Sequence, residues 1–104
     1  MAAPWNPPKR AEDFEFTVCL EDFSNPGNFK SNPTLAAGDF KISKDGGALA
    51  NLNTLPTVEP ASGPIVKIVL SATEMTADKV TVVCQDQTAP KEWTDYAITI
   101  LTTT

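Results

Sequence analysis

Chemistry in this chain would have to come from carboxylates, because histidine is absent. That absence removes the commonest general base and a leading metal ligand together. A Ser-His-Asp arrangement cannot form, and no Gly-x-Ser-x-Gly turn presents a strained serine. Cys19 and Cys84 are too few and too far apart for a zinc site, and neither has a neighbouring base to lower its pKa. The carboxylates fall in three groups, Glu12-Asp13, Glu21-Asp22, and Asp86 with Glu92 or Asp95. Converging pairs could flank a glycosidic bond or hold calcium. These groups sit beside strand ends, however, where solvated turn carboxylates are the rule, and Asp45-Gly46-Gly47 lacks the alternating oxygen ligands of a calcium loop. No glycine-rich run leads into a helix with Lys-Ser or Lys-Thr, so a nucleotide phosphate has no cradle. The expectation is a protein without catalytic residues, metal or cofactor, and not an enzyme.

Aromatic side chains offer a different chemistry. Trp93 and Tyr96 with Asp95 could stack on and hydrogen-bond a sugar, which makes carbohydrate or host-surface binding the alternative function. The plainer expectation for both rings is packing against the core or a strand edge.

The elements that must position these residues are strands. Residues 12–20, EDFEFTVCL, put Phe14, Phe16, Val18 and Leu20 on one face and Glu15, Thr17 and Cys19 on the other. Residues 38–55 form the organising hairpin. Phe40 and Ile42 share a face, Lys44-Asp45-Gly46-Gly47 supplies the positive backbone angles of a tight turn, and residues 48–52 return alongside. Residues 65–71, IVKIVLS, are apolar almost throughout and predict a central strand. Ser71-Ala72-Thr73-Glu74 fits a capping box and predicts a short capped helical turn near 72–76, a corner between two sheets. Residues 79–86 place Val80, Val82 and Cys84 inward. Residues 92–101 are expected to be the last strand, with Tyr96, Ile98 and Ile100 on one face. The loop 21–33 is rich in Asn, Pro, Gly and Ser, and its Phe23 and Phe29 are expected to pin it to the sandwich edge.

Six or seven short strands separated by turn clusters predict an all-β, immunoglobulin-like antiparallel sandwich over residues 12–104, preceded by an extended proline-rich arm over 1–11. The passage 70–84 resembles the E to F corner of immunoglobulin-like domains, but Val82 stands where the corner tyrosine belongs, and no tryptophan lies between the cysteines. In the arm, Trp5, Asn6, Pro7 and Arg10 are the candidate partner-binding residues. The arm could remain unpacked, dock on its own domain, or reach a neighbouring subunit.

Composition narrows the partners. The 104 residues carry 8 basic and 13 acidic side chains, a net charge of −5, and the basic ones are scattered. Nucleic acid is not expected, since phosphate binding needs clustered Lys and Arg. No apolar run approaches the roughly 18 residues of a membrane span, and the N-terminus lacks the apolar core of a signal peptide. Synthesis in a cytosol is expected, with both cysteines reduced.

The segments Phe29-Lys30 and Thr34-Leu35-Ala36-Ala37-Gly38-Asp39-Phe40-Lys41-Ile42-Ser43-Lys44-Asp45-Gly46-Gly47-Ala48, the Leu55-Pro56 connection, Leu70-Ser71-Ala72-Thr73-Glu74-Met75-Thr76-Ala77-Asp78, and Glu92-Trp93 together resemble small β-sandwich structural modules of tailed bacteriophages. The resemblance spans residues 13–101. It implies a non-enzymatic virion component, assembled in the bacterial cytoplasm, that contacts other virion proteins of capsid or tail and could also form a homo-oligomer. The end of the sequence soon after the last strand favours a decoration, cement or adaptor role over host-receptor binding.

Overall fold

Seven strands, five of them where the sequence alternates, are present in a computed structural model that describes residues 7–103. They are β1 (Phe14–Cys19), β2 (Phe40–Lys44), β3 (Ala50–Asn51), β4 (Thr57–Glu59), β5 (Ile65–Leu70), β6 (Lys79–Cys84) and β7 (Tyr96–Leu101). One antiparallel sheet has the order β1-β5-β4 and the other β3-β2-β6-β7. Taken in turn from B, these are B-E-D against C′-C-F-G, an immunoglobulin-like sandwich. Among the described residues, the place of the first strand of that fold is marked by a parallel bridge between Lys9 and Thr103.

Alternation decides what each strand buries. Val66, Ile68 and Leu70 from β5 and Val80, Val82 and Cys84 from β6 are solvent-free and meet Phe40 and Ile42 of β2. Each such side chain contributes about 1.5–3 kcal/mol. Phe14 and Phe16 are only half-buried, because β1 is an edge strand; their rings lie 5.8 Å apart.

The central hairpin pairs Lys41 with Asn51 and Ile42 with Ala50. Its turn has φ of 51° at Asp45 and 79° at Gly46, the two positive angles of a type I′ turn, closed by the Gly47 N–H donating to Lys44 O at 2.9 Å. The Asp45 carboxylate also accepts the N–H groups of Asp78 at 3.1 Å and Lys79 at 2.9 Å. The turn therefore fixes where β6 begins.

Three expectations are corrected. The capped helical turn near 72–76 does not form a helix. Its capping box closes, with Ser71 N–H donating to Glu74 Oε1 at 2.9 Å and Glu74 N–H to Ser71 Oγ at 3.2 Å. One α-helical hydrogen bond follows, Met75 N–H to Ser71 O at 2.9 Å, and one tighter i→i−3 bond, Thr76 N–H to Thr73 O at 3.2 Å. The chain then leaves helical geometry, because Met75 and Ala77 must both reach the core before β6 starts at Lys79. The last strand starts at Tyr96 and not at residue 92, since the preceding segment pairs with the loop after β1. Finally, residues 56–64, PTVEPASGP, read as a connection punctuated by three prolines, yet β4 lies inside them, where Val58 opposes Val66 of β5. A strand of three residues is too short to show a period.

Candidate interaction surface

Most of the carboxylates that might have converged on a ligand are tied to the backbone instead. Asp13 accepts the Ala72 N–H at 2.9 Å, Glu21 that of Gly27 at 2.9 Å, Asp22 that of Ser24 at 3.0 Å, and Glu92 that of Thr34 at 3.0 Å. Asp86, almost fully buried, accepts from Glu92 at 2.7 Å and Thr88 at 2.9 Å. Burial pushes the Asp86 carboxyl up, but these backbone donors, the Thr88 hydroxyl and the Lys91 charge outweigh it and hold the group below the usual carboxylate range. Asp95, also depressed, is held by hydrogen bonds from Lys91 and then Gln85. Among the described residues, no three His, Cys, Asp or Glu side chains stand close enough to share a metal ion.

The aromatic candidates separate. Trp93 is completely buried: its ring lies 5.6 Å from that of Phe40, and its Nε1–H donates to Thr34 O at 3.4 Å. A ring enclosed on all sides cannot stack on a sugar, so the Trp93–Tyr96–Asp95 platform is not assembled. Tyr96 alone is partly exposed.

The arm candidates also divide. Trp5 and Asn6 lie outside the described residues. Pro7 is half-buried, and Arg10 forms an ion pair with Asp78 on the sandwich's own corner. Backbone bonds from Arg10 N–H to Thr103 O (2.8 Å), Thr103 N–H to Pro8 O (2.9 Å) and Ala11 N–H to Met75 O (3.1 Å) fasten residues 8–11 to the parent domain. Of the three fates open to the arm, these residues take docking on their own fold.

The thiols differ in the same way. Both cysteines are free; Cys19 is half-buried and Cys84 buried, and desolvation pushes the Cys84 thiol up to about 12. With an aromatic disulfide reagent at neutral pH, the more accessible Cys19 is expected to react first and Cys84 only as the protein unfolds. Two thiols reacting at the same early rate in the native protein would contradict this burial.

A surface that sequence reasoning missed lies on the loop after β1. Phe23 is 51% exposed and Phe29 64%, so neither pins the loop to the sandwich. The loop is held by its backbone. Glu21 bridges Phe29, Asp22 N–H donates to Asn28 O at 2.8 Å, Lys30 N–H to Leu20 O at 2.7 Å, Phe23 N–H to Glu92 O at 3.0 Å and Thr94 N–H to Glu21 O at 2.9 Å. In this antiparallel register Phe23 and Phe29 stand diagonally on one face, within reach of a common partner. Lys91 Nζ, ion-paired with Asp95, lies 6.0 Å from the Phe23 centroid at the margin of the patch. The one signal in the sequence is that two phenylalanines stand in a run of turn residues with no apolar period, a pattern equally compatible with pinning the loop and with display.

One shallow cleft of about 150 Å³ opens where Gly38 and Phe40 face Asn51, Leu52 and Leu55. Its lining holds no titratable group, so it offers no acid or base. No family model, curated protein or solved structure matches this chain.

Proposed function

We propose that this chain is a non-enzymatic structural module of a tailed-bacteriophage virion, docking on other virion proteins as a capsid decoration or cement protein or as a head-to-tail or tail adaptor. The observation that carries the docking role is the Phe23–Phe29 pair, displayed on a loop that its own hydrogen bonds hold in place. Large apolar rings on a pre-formed backbone lose little conformational entropy when covered, and aromatic side chains are the usual anchors of protein interfaces. The virion assignment rests on the resemblance carried by residues 13–101 and fits an immunoglobulin-like sandwich with a charge of −5. Assembly in the bacterial cytoplasm belongs to the same reading.

Two measurements test it. Quantitative mass spectrometry of purified particles is expected to find the chain at a fixed ratio to the major capsid protein, or at a low fixed copy number for a tail position. Its absence from particles refutes the virion assignment. Phe23→Ser with Phe29→Ser is expected to leave folding stability within about 0.5 kcal/mol, since both rings are exposed. Particle binding should weaken roughly tenfold or more. Undiminished binding would remove this patch from the interface.

A further inference from the structure

Three of the four sheet edges are protected against pairing with another chain. β3 is two residues long, β4 is three residues between Pro56 and Pro60, and β1 carries Glu15 and is flanked by Asp13 and Glu21. Short strands, prolines and charges are the devices that keep natural sheet edges from associating. β7 has none of them: it is the six-residue strand YAITIL, and residues 96–104 contain no charge and no proline.

Alternation identifies the open backbone groups on this edge. Thr102 N–H donates to Asp78 O at 3.0 Å, toward the β6 side, whereas Thr103 bonds the arm on the other side. Successive residues of an antiparallel strand direct their backbone groups to opposite edges. Ala97, Thr99 and Leu101 therefore aim theirs outward, on the side of Thr103, and no backbone partner meets them among the described residues.

The chain's own arm is poorly suited to this edge. Extending its parallel register from the Lys9–Thr103 bridge sets residue 8 against the Leu101 carbonyl and residue 4 against that of Ala97. Both are proline and have no N–H to donate.

We propose that the free edge of β7 is a homodimer seam, in which β7 of a second copy pairs antiparallel about Thr99. In that register Thr99 faces Thr99 and Ala97 faces Leu101, so every outward N–H meets an outward carbonyl. Ile98 and Ile100 fall opposite one another on the inner face, and no like charges meet across the strands. Leu101, 70% exposed in the single chain, gains a neighbour. The ends of the seam agree with its centre. Beyond Thr102 the arm occupies the edge, and before Asp95 the chain turns away to pair with the loop after β1, leaving a window whose symmetric part is centred on Thr99. Two four-stranded sheets would become one continuous sheet, independently of which partner covers Phe23 and Phe29.

Sedimentation equilibrium of the full chain tests the seam, with amide hydrogen exchange as a second reading. The expected mass is twice 11.1 kDa at high concentration, with exchange at Ala97, Thr99 and Leu101 slowing as dimer forms. Thr99→Pro removes an outward N–H and leaves the backbone bonds to β6 in place, losing only the Thr81–Thr99 hydroxyl contact of 3.2 Å that Thr99→Lys also loses; Thr99→Lys sets two charges face to face, and each should raise the dissociation constant at least about tenfold. Circular dichroism should show both variants folded, and either one folded suffices for the test. A wild-type chain that stays monomeric to about millimolar concentration, a dimer indifferent to both substitutions, or a chain that dimerises only after removal of residues 1–8 overturns the proposal. The last result would assign the edge to the arm.

Discussion

Trp93→Ala is expected to lower stability by about 3–5 kcal/mol, the range for deleting a large aromatic from a packed interior. Trp93 has no exposed surface, and its ring fills the space beside Phe40 at a centroid distance of 5.6 Å. Its removal leaves a cavity that the rigid β2–β6 ladder cannot close, and it orphans the Thr34 carbonyl. In a domain of this size the loss corresponds to a fall in Tm on the order of 20 °C, readable by thermal circular dichroism. Trp93→Phe should recover much of it by retaining a ring. A near-native Tm in Trp93→Ala would mean that the ring is not part of the core, and would reopen a surface role for it.

The second large effect is expected at Asp86. Its carboxylate receives the Glu92 and Thr88 N–H groups at 2.7 and 2.9 Å while 6% exposed, and so folds the connection that delivers Trp93 to the core. Asp86→Ala leaves both donors without their acceptor, and hydrogen bonds to a charged group contribute about 1.5–3 kcal/mol each, so a loss near 3 kcal/mol in urea unfolding is expected. The pH dependence has a definite sign. A carboxyl depressed in the folded state contributes stability that is complete above its unfolded value, about 3.9, and disappears as pH falls through the lower folded value. The wild type should therefore lose stability progressively below about pH 4–5, and Asp86→Asn should show a flatter acid limb. An acid limb as steep in Asp86→Asn as in the wild type would assign the effect to other carboxylates, Asp95 first among them.

Both predictions concern residues whose partners are remote in the chain, and this separates what was legible from what was not. The alternation of Phe14 to Leu20, of Ile65 to Leu70 and of Val80 to Cys84 is a local property, and it located the strands and their buried faces. Lys44-Asp45-Gly46-Gly47 located the hairpin for the same reason, since a tight turn is written in the φ preferences of its own residues. The capping box at Ser71 and Glu74 was also legible as hydrogen bonds, but its continuation into a helix was not, because burial of Met75 and Ala77 overrides a single favourable turn. Trp93 and Phe23 show the limit most clearly. Both are aromatic residues near strand ends, yet one is enclosed and the other half exposed.

The sequence by itself determined an all-β chain, its turn positions and most of its core, because period-two patterning and turn chemistry act between residues a few positions apart. It also determined that imidazole chemistry is impossible. Only the tertiary structure decided that residues 92–94 pair with 21–23, that Trp93 is buried while Phe23 and Phe29 are displayed, that the carboxylates hold loops, and that the outer edge of β7 finds no strand partner among the described residues. Those outcomes depend on which segments meet across the sandwich. That is settled by the joint burial of both sheets and by backbone groups finding partners far along the chain, and no local pattern encodes either.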